Sequence, residues 1–254
     1  MQFTFKNVND AFTGLVSSIY DRRIPTTRKP SRVGEVIQID EPVLITYLNP
    51  RQRVLFNPAR DANPFFHLVE AMWMLAGRND VAPLQFLASN IGEIASDDGL
   101  TFNGAYGYRW KQADGGKHES VDQLKVLVDH LRAKPESRRA VLQMWNVEDD
   151  LMKLDTAKDV CCNTAVYFAI NECRECRECR GEGTISLTGD GAPDEDTCPR
   201  CYGLGKQLDM TVTNRSNDLV WGCLGGDYTA FSFLQEYMAE QVGVGVGLYH
   251  QFTN

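Results

Sequence analysis

Nowhere in the 254 residues do eighteen apolar side chains follow one another, so no membrane-spanning helix is expected. The start, Met1-Gln2-Phe3-Thr4-Phe5-Lys6, lacks the basic-then-apolar layout of a signal peptide, and the expected compartment is the cytoplasm. Positive charge is also in deficit. Lys and Arg number 26 against 34 Asp and Glu, a net charge of −8 that argues against a general nucleic-acid binder. No low-complexity linker divides the chain, and 43% hydrophobic content is ample for one large core. A spread of disulfide-forming cysteines is missing too: five of the eight crowd into residues 173–201. Without an export signal, that crowding points to metal binding, and the others are open to a reactive thiol.

The hydrophobic pattern alternates between helical and strand periods. Phe12, Leu15, Val16 and Ile19 predict a helix over 8–20. Residues 36–39, 43–48 and 53–56 read as strands, punctuated by Pro42 and Asn49-Pro50. Asn63-Pro64 opens a helix that Gly77 closes. Within it Glu70 shares a face with Phe66, Trp73 and Met74, where a carboxylate is costly unless partnered and its pKa rises on burial. Residues 98–112 read as a loop carrying Tyr106 and Arg109 as polar contacts. An amphipathic helix spans Val121 to Leu131 and stops by Pro135. Strands are expected at 140–145, 165–170 and 207–213, the last two as neighbours, with a final helix through Phe231, Leu234, Met238 and Val242.

Between those neighbouring strands, residues 172–206 form an insert. Cys176-Arg-Glu-Cys179-Arg-Gly-Glu-Gly183 and Cys198-Pro-Arg-Cys201-Tyr-Gly-Leu-Gly205 are two copies of C-x-x-C-x-G-x-G. Each pair offers two thiolates to one metal, and two pairs complete a closed tetrahedral site for a structural zinc. Cys173 is a competing fifth thiol. The motif resembles the zinc-binding repeats of DnaJ chaperones over about thirty residues. It implies a metal knuckle and no chaperone activity.

Two further stretches carry reactive groups. Asp159-Val160-Cys161-Cys162-Asn163-Thr164 places a thiol at the mouth of a strand, and Asn214-Arg215-Ser216-Asn217-Asp218 gathers a cation, a hydroxyl and a carboxylate. Ser137-Arg138-Arg139 sets two guanidinium forks at a loop-to-strand junction, a pattern suited to phosphate oxygens.

The order Arg138-Arg139, then Trp145-Asn146-Val147, a cysteine entering a strand, Arg215-Ser216-x-Asp218 and Gly222 resembles thymidylate synthase and the related deoxypyrimidine hydroxymethylases. The likeness spans nearly the whole chain outside the insert. It implies a single α/β domain over 1–254, with a large mixed sheet whose flat face packs against a second copy. It also implies transfer of a one-carbon unit from 5,10-methylenetetrahydrofolate to C5 of dCMP or dUMP. Cys162 matches the nucleophile that adds to C6, and nearby arginines are expected to lower its pKa. Cys161 stands where the family usually has proline. Glu70 matches the glutamate that organises proton transfer, Tyr106 a tyrosine near the ring, and Asp218 a supporting aspartate. Arg215, Ser216 and Arg32 match the phosphate-holding residues. Arg138 and Arg139 match a pair that reaches into the partner's site in a homodimer.

Three departures shape the expected chemistry. Asn163 replaces the usual histidine after the nucleophile. Allowing one inserted residue, the position that reads N3 and the 4-substituent falls on Asp227 rather than asparagine. A carboxylate there suits the cytosine amino group, so dCMP hydroxymethylation leads, with dUMP hydroxymethylation or methylation as the alternatives. The family's His-x-Tyr ribose contact and closing tail would lie beyond Asn254. The competing class is a zinc-knuckle binding protein on a degenerate synthase fold.

Overall fold

Strand β1 (Gln2–Phe5) leads directly into helix α1 (Val8–Tyr20) because Asn7 accepts the backbone N–H groups of Asn9 and Asp10 as an N-cap. The computed structural model describes residues 1–31, 34–96, 98–115, 118–172, 184–186, 195–197 and 205–254. After α1 come β2 (Thr26–Ser31), β3 (Gly34–Ile39), β4 (Val43–Tyr47), α2 (Pro64–Leu75) and the short α3 (Ala82–Gln85). Next are α4 (Tyr106–Lys111), β5 (Ala113–Gly115), β6 (His118–Val121), α5 (Gln123–Ala133), β7 (Val141–Gln143) and β8 (Asn163–Glu172). The chain continues with β9 (Thr184–Ser186), β10 (Glu195–Thr197), β11 (Lys206–Asn214), a π-turn over Leu219–Cys223, α6 (Gly226–Val242) and β12 (Gly245–Thr253).

Six strands form the central sheet in the order β1-β4-β12-β11-β8-β7. It is mixed: β1 runs parallel to β4 and β11 parallel to β12, while β4/β12, β8/β11 and β7/β8 are antiparallel. The expected pairing of the two strands that flank the insert is present, from Lys206↔Glu172 to Asn214↔Asn163. The period of two decides which side chains face the core: Leu208, Met210 and Val212 are buried, and Asp209, Thr211 and Thr213 are half-buried. Helix α6 is buried at Tyr228, Phe231, Leu234 and Met238, and Tyr228 packs against Tyr47 and Tyr249 with ring centroids 4.5 and 5.6 Å away.

Several expectations need correction. Residues 53–56 form no strand; Asn9 of α1 accepts from Phe56 N–H and donates to the Val54 carbonyl, so a side chain replaces the ladder. The loop expected at 98–112 contains α4. Gly107 makes that helix possible, since a Cβ there would lie 1.9 Å from the Met74 carbonyl oxygen of α2. Strands β1, β2 and β12 were not anticipated, being short or weakly alternating. Cys173, Cys176, Cys179, Cys198 and Cys201 lie outside the described residues. The β9/β10 ladder between the two cysteine motifs is described, pairing Thr184 with Thr197.

Candidate active site

Strand register builds the site around Cys162. Because Asn214 of β11 opposes Asn163 of β8, the next residue on each side, Arg215 and Cys162, meet at the sheet's end. Arg215 donates its backbone N–H to the Cys162 carbonyl at 2.9 Å. Its guanidinium then grips the loop, with Nε to the Cys161 carbonyl at 3.0 Å and Nη2 to the Val160 carbonyl at 2.8 Å. The same Nη2 lies 3.7 Å from the Cys162 Sγ, and Ser216 Oγ lies 4.0 Å from it. One face of the guanidinium looks onto the Trp145 ring at 5.8 Å.

The expectation of a lowered thiol pKa is corrected by this geometry. Burial pushes the Cys162 thiol up, Arg215 opposes that rise, and Asp227, then Asp159, add to it while the Ser216 hydrogen bond resists. Arg215 also spends two donors on carbonyls, so desolvation outweighs the single nearby cation. Of the vicinal pair, Cys162 is only partly buried, whereas Cys161 is 1% exposed and its thiol donates to the Asn163 carbonyl at 3.1 Å.

Two carboxyl groups belong to this neighbourhood, Asp227, whose charge acts on Cys162, and Glu70, on which Asp227 also acts. Glu70 on α2 directs a buried Oε2, without a hydrogen-bond partner among the described residues, toward Gly226, where a Cβ would lie 2.7 Å away. Burial, then the charge of Asp227, push the Glu70 carboxyl up to about 8. Asp227 sits in the first turn of α6 and burial pushes it up to about 6, with Asp218 adding to the rise. Asn217 lies beside it and offsets part of that rise, although the Asn217 Nδ2 finds no well-aligned acceptor. Tyr106 begins α4, stacks on Phe231 at 5.7 Å, and has its phenol raised by burial and then by Asp227.

The turn before α6 explains the position of Asp227. Asp218 accepts the N–H groups of Val220 at 2.9 Å and Trp221 at 2.6 Å, capping the turn. Cys223 N–H then reaches back five residues to the Asp218 carbonyl at 2.8 Å, and Leu224 N–H to Leu219 at 3.0 Å. A π-turn accommodates one residue more than an α-turn, and here it leads into α6, which carries Asp227 in its first turn.

The other named residues are placed less centrally. Asn163 is fully buried and its Nδ2 is spent on the Thr213 carbonyl and Asn214 Oδ1, although its Oδ1 has no partner among the described residues. Arg138 and Arg139 are exposed just before edge strand β7 and make no ion pair among the described residues. Arg32 lies outside the described residues. Sequence reasoning missed Asn217, which touches Gly222 beside Asp227, and Arg60, whose Nε donates to the Val220 carbonyl and whose guanidinium lies over Trp221. Neither carries a local signal, since an isolated Asn or Arg in a polar stretch reads as solvated.

Residues 63–254 match the thymidylate synthase family. A protein of Pseudomonas phage M6 named deoxyuridylate hydroxymethyltransferase is 41% identical over 250 residues, covering 98% of this chain and 58% of the relative. A protein of the same name from Bacillus phage SP01 is 35% identical over 226 residues, covering 87% of this chain and 50% of the relative. The chain therefore spans about half the length of these curated relatives. Taken with the six-stranded mixed sheet and the cysteine at its end, the match over three quarters of the residues means that this chain belongs to the thymidylate synthase family.

Proposed function

We propose that the chain transfers a one-carbon unit to C5 of a deoxypyrimidine 5′-monophosphate, with dUMP as substrate and a 5-hydroxymethyl product. The observation that carries the reading is the thiol of Cys162, the one partly open thiol among the described residues, flanked by Arg215 and Ser216 and within the influence of the Asp227 carboxyl group, which in turn acts on Glu70. In this reading Cys162 adds to C6 of the ring, and Arg215, Ser216 and Arg32 hold the 5′-phosphate. The substrate assignment leans on the names of the two phage relatives.

The dUMP reading also fits the chemistry of Asp227. A neutral carboxyl donates from its O–H to O4 of uracil and accepts N3–H through its carbonyl, as an asparagine amide does. Burial, with the Asp218 charge, raises Asp227 to about 6, so this neutral form is the major one only below about pH 6. An ionised Asp227 suits the cytosine 4-amino group instead, and on that observation dCMP is the second reading.

5,10-Methylenetetrahydrofolate supplies the one-carbon unit when bound. The residues around Gly226 suit a flat heteroaromatic donor: Trp221 is 62% exposed, its carbonyl borders Gly226, and the unpartnered Glu70 Oε2 points to the same place. Glu70, raised to about 8, holds or releases a proton near neutral pH, the property a general acid–base needs.

The same reading includes a homodimer and a zinc knuckle. The sheet face turned away from the helices sets Val141 beside Tyr167 across β7/β8, and Phe252 two strands from Ala165; Val141, Tyr167 and Phe252 are 37%, 46% and 36% exposed. Such a face suits burial against a second copy. Cys176, Cys179, Cys198 and Cys201 are assigned to structural zinc on their spacing. In support, β9 begins one residue after Gly183 and β10 ends one residue before Cys198, so the ladder joins the two motifs.

The test is tritium release from 5-tritiated dUMP and dCMP, each with methylenetetrahydrofolate, followed by the product's mass. Release from dUMP with a hydroxymethyl product is expected. Release from dCMP alone favours the second reading, and release from neither refutes the transferase.

A further inference from the structure

Beneath Cys162 lies a buried ion pair that the catalytic chemistry does not use. Asp150 is 0% exposed, and each of its oxygens accepts two hydrogen bonds. Oδ1 accepts the Cys161 N–H at 3.2 Å and Arg109 Nη2 at 3.1 Å. Oδ2 accepts the Asn146 N–H at 2.8 Å and Arg109 Nη1 in a close contact. Arg109, projecting from α4, also donates to the Asn103 carbonyl and the Met144 carbonyl, both at 2.9 Å. Asn103 in turn donates to the carbonyls of Asp149 and Asp159 at 3.1 and 3.0 Å, and Gly104 N–H to Asp159 Oδ2 at 2.7 Å. One bidentate pair thus ties α4, the end of β7, the 146–150 turn and the segment leading into Cys162.

The connection to the thiol runs through backbone carbonyls. Arg215 approaches Sγ only while its Nε and Nη2 hold the carbonyls of Cys161 and Val160. The Val160 carbonyl shares its peptide plane with the Cys161 N–H that Asp150 holds from below, and the Cys161 carbonyl follows in the next peptide. We propose that Asp150 and Arg109 are positioning residues that fix the Cys161 backbone and, through it, the contact between the Arg215 guanidinium and the Cys162 thiol. The pair acts without touching substrate. The groups facing the thiol itself are Arg215 and Ser216 beyond β11, Asp227 on α6 and Asp159 in its own loop. The proposal rests on Cys162 being the reactive thiol of the site.

The experiment measures iodoacetamide alkylation of Cys162 against pH, site-resolved by tandem mass spectrometry, in the wild-type chain, Asp150→Asn and Arg109→Lys, beside kcat and KM for the nucleotide. Asp150→Asn replaces one acceptor oxygen by an amide that cannot receive its two hydrogen bonds. Relaxation of the loop draws Arg215 from the thiol, so the alkylation midpoint rises by about one unit and kcat falls about ten-fold or more. KM changes by less than kcat does, because the phosphate is assigned to Ser216 and Arg32 as well as to Arg215. Asp150→Glu, which keeps the charge, recovers part of the loss. A folded Asp150→Asn whose Cys162 midpoint and kcat both match wild type overturns the proposal. So does a loss of thermal stability with an unmoved midpoint. If Asp150→Asn fails to fold by circular dichroism, Arg109→Lys is read by the same criteria, since it keeps the cation and loses the fork. Retained turnover in Cys162→Ser would instead refute the nucleophile reading, and the alkylation profile, taken on the thiol itself, would still decide the positioning.

Discussion

Replacing Asp227 by Asn should stabilise the folded chain, and by more as pH rises. The folded carboxyl is raised from 3.8 to about 6, mainly by burial, so the native state holds this proton more tightly than the unfolded chain does. A shift of about two units corresponds to roughly 3 kcal/mol. The favourable contribution is present in full below about pH 4 and is lost as pH rises through about 6. Asn is neutral throughout, so between about pH 4.5 and pH 8 its advantage over Asp grows by about 2 kcal/mol. Relief of the charge felt by Glu70 adds to the gain. For a chain of this size that is roughly 4–8 °C in Tm, measured by thermal unfolding of both proteins at the two pH values. A Tm difference that is the same at both, or that favours Asp at pH 8, would refute the reasoning. The same variant should weaken any use of dCMP relative to dUMP, because an amide cannot ionise.

Other substitutions probe separate parts of the fold. Cys162→Ala should abolish turnover and the tritium release that accompanies it, while nucleotide binding measured by calorimetry persists. Gly107→Ala would set a methyl 1.9 Å from the Met74 carbonyl oxygen, against backbone that cannot turn aside, and should destabilise by about 3 kcal/mol or more in urea unfolding. Turnover should fall as pH rises through about 8 as the Glu70 proton is lost, and Glu70→Gln should remove both that limb and most of the rate. Elemental analysis should find about one zinc per chain, and its removal by a chelator should free four thiols for titration.

Much of the fold around the candidate site was legible because it rests on local chemistry. Asn63-Pro64 opening a helix and the alternation of 207–213 are written within a few residues each. The reading of Glu70 as a costly carboxylate on an apolar face also survives, since helical spacing alone sets its neighbours. Sequence could not weigh burial against charge at Cys162, because a pKa depends on which groups converge from distant segments. Nor could it show that Arg109 and Asp150, 41 residues apart, form a buried pair beneath the thiol. Helix α4 went unread since six residues give too short a period, and its existence depends on Gly107 meeting the backbone of α2. The chain's own pattern determined the family, the nucleophile candidate and most core strands. Only tertiary structure decided how those strands are ordered, where the π-turn sets Asp227, and how the charge of Asp227 raises Glu70, because each depends on contacts between residues far apart in the chain.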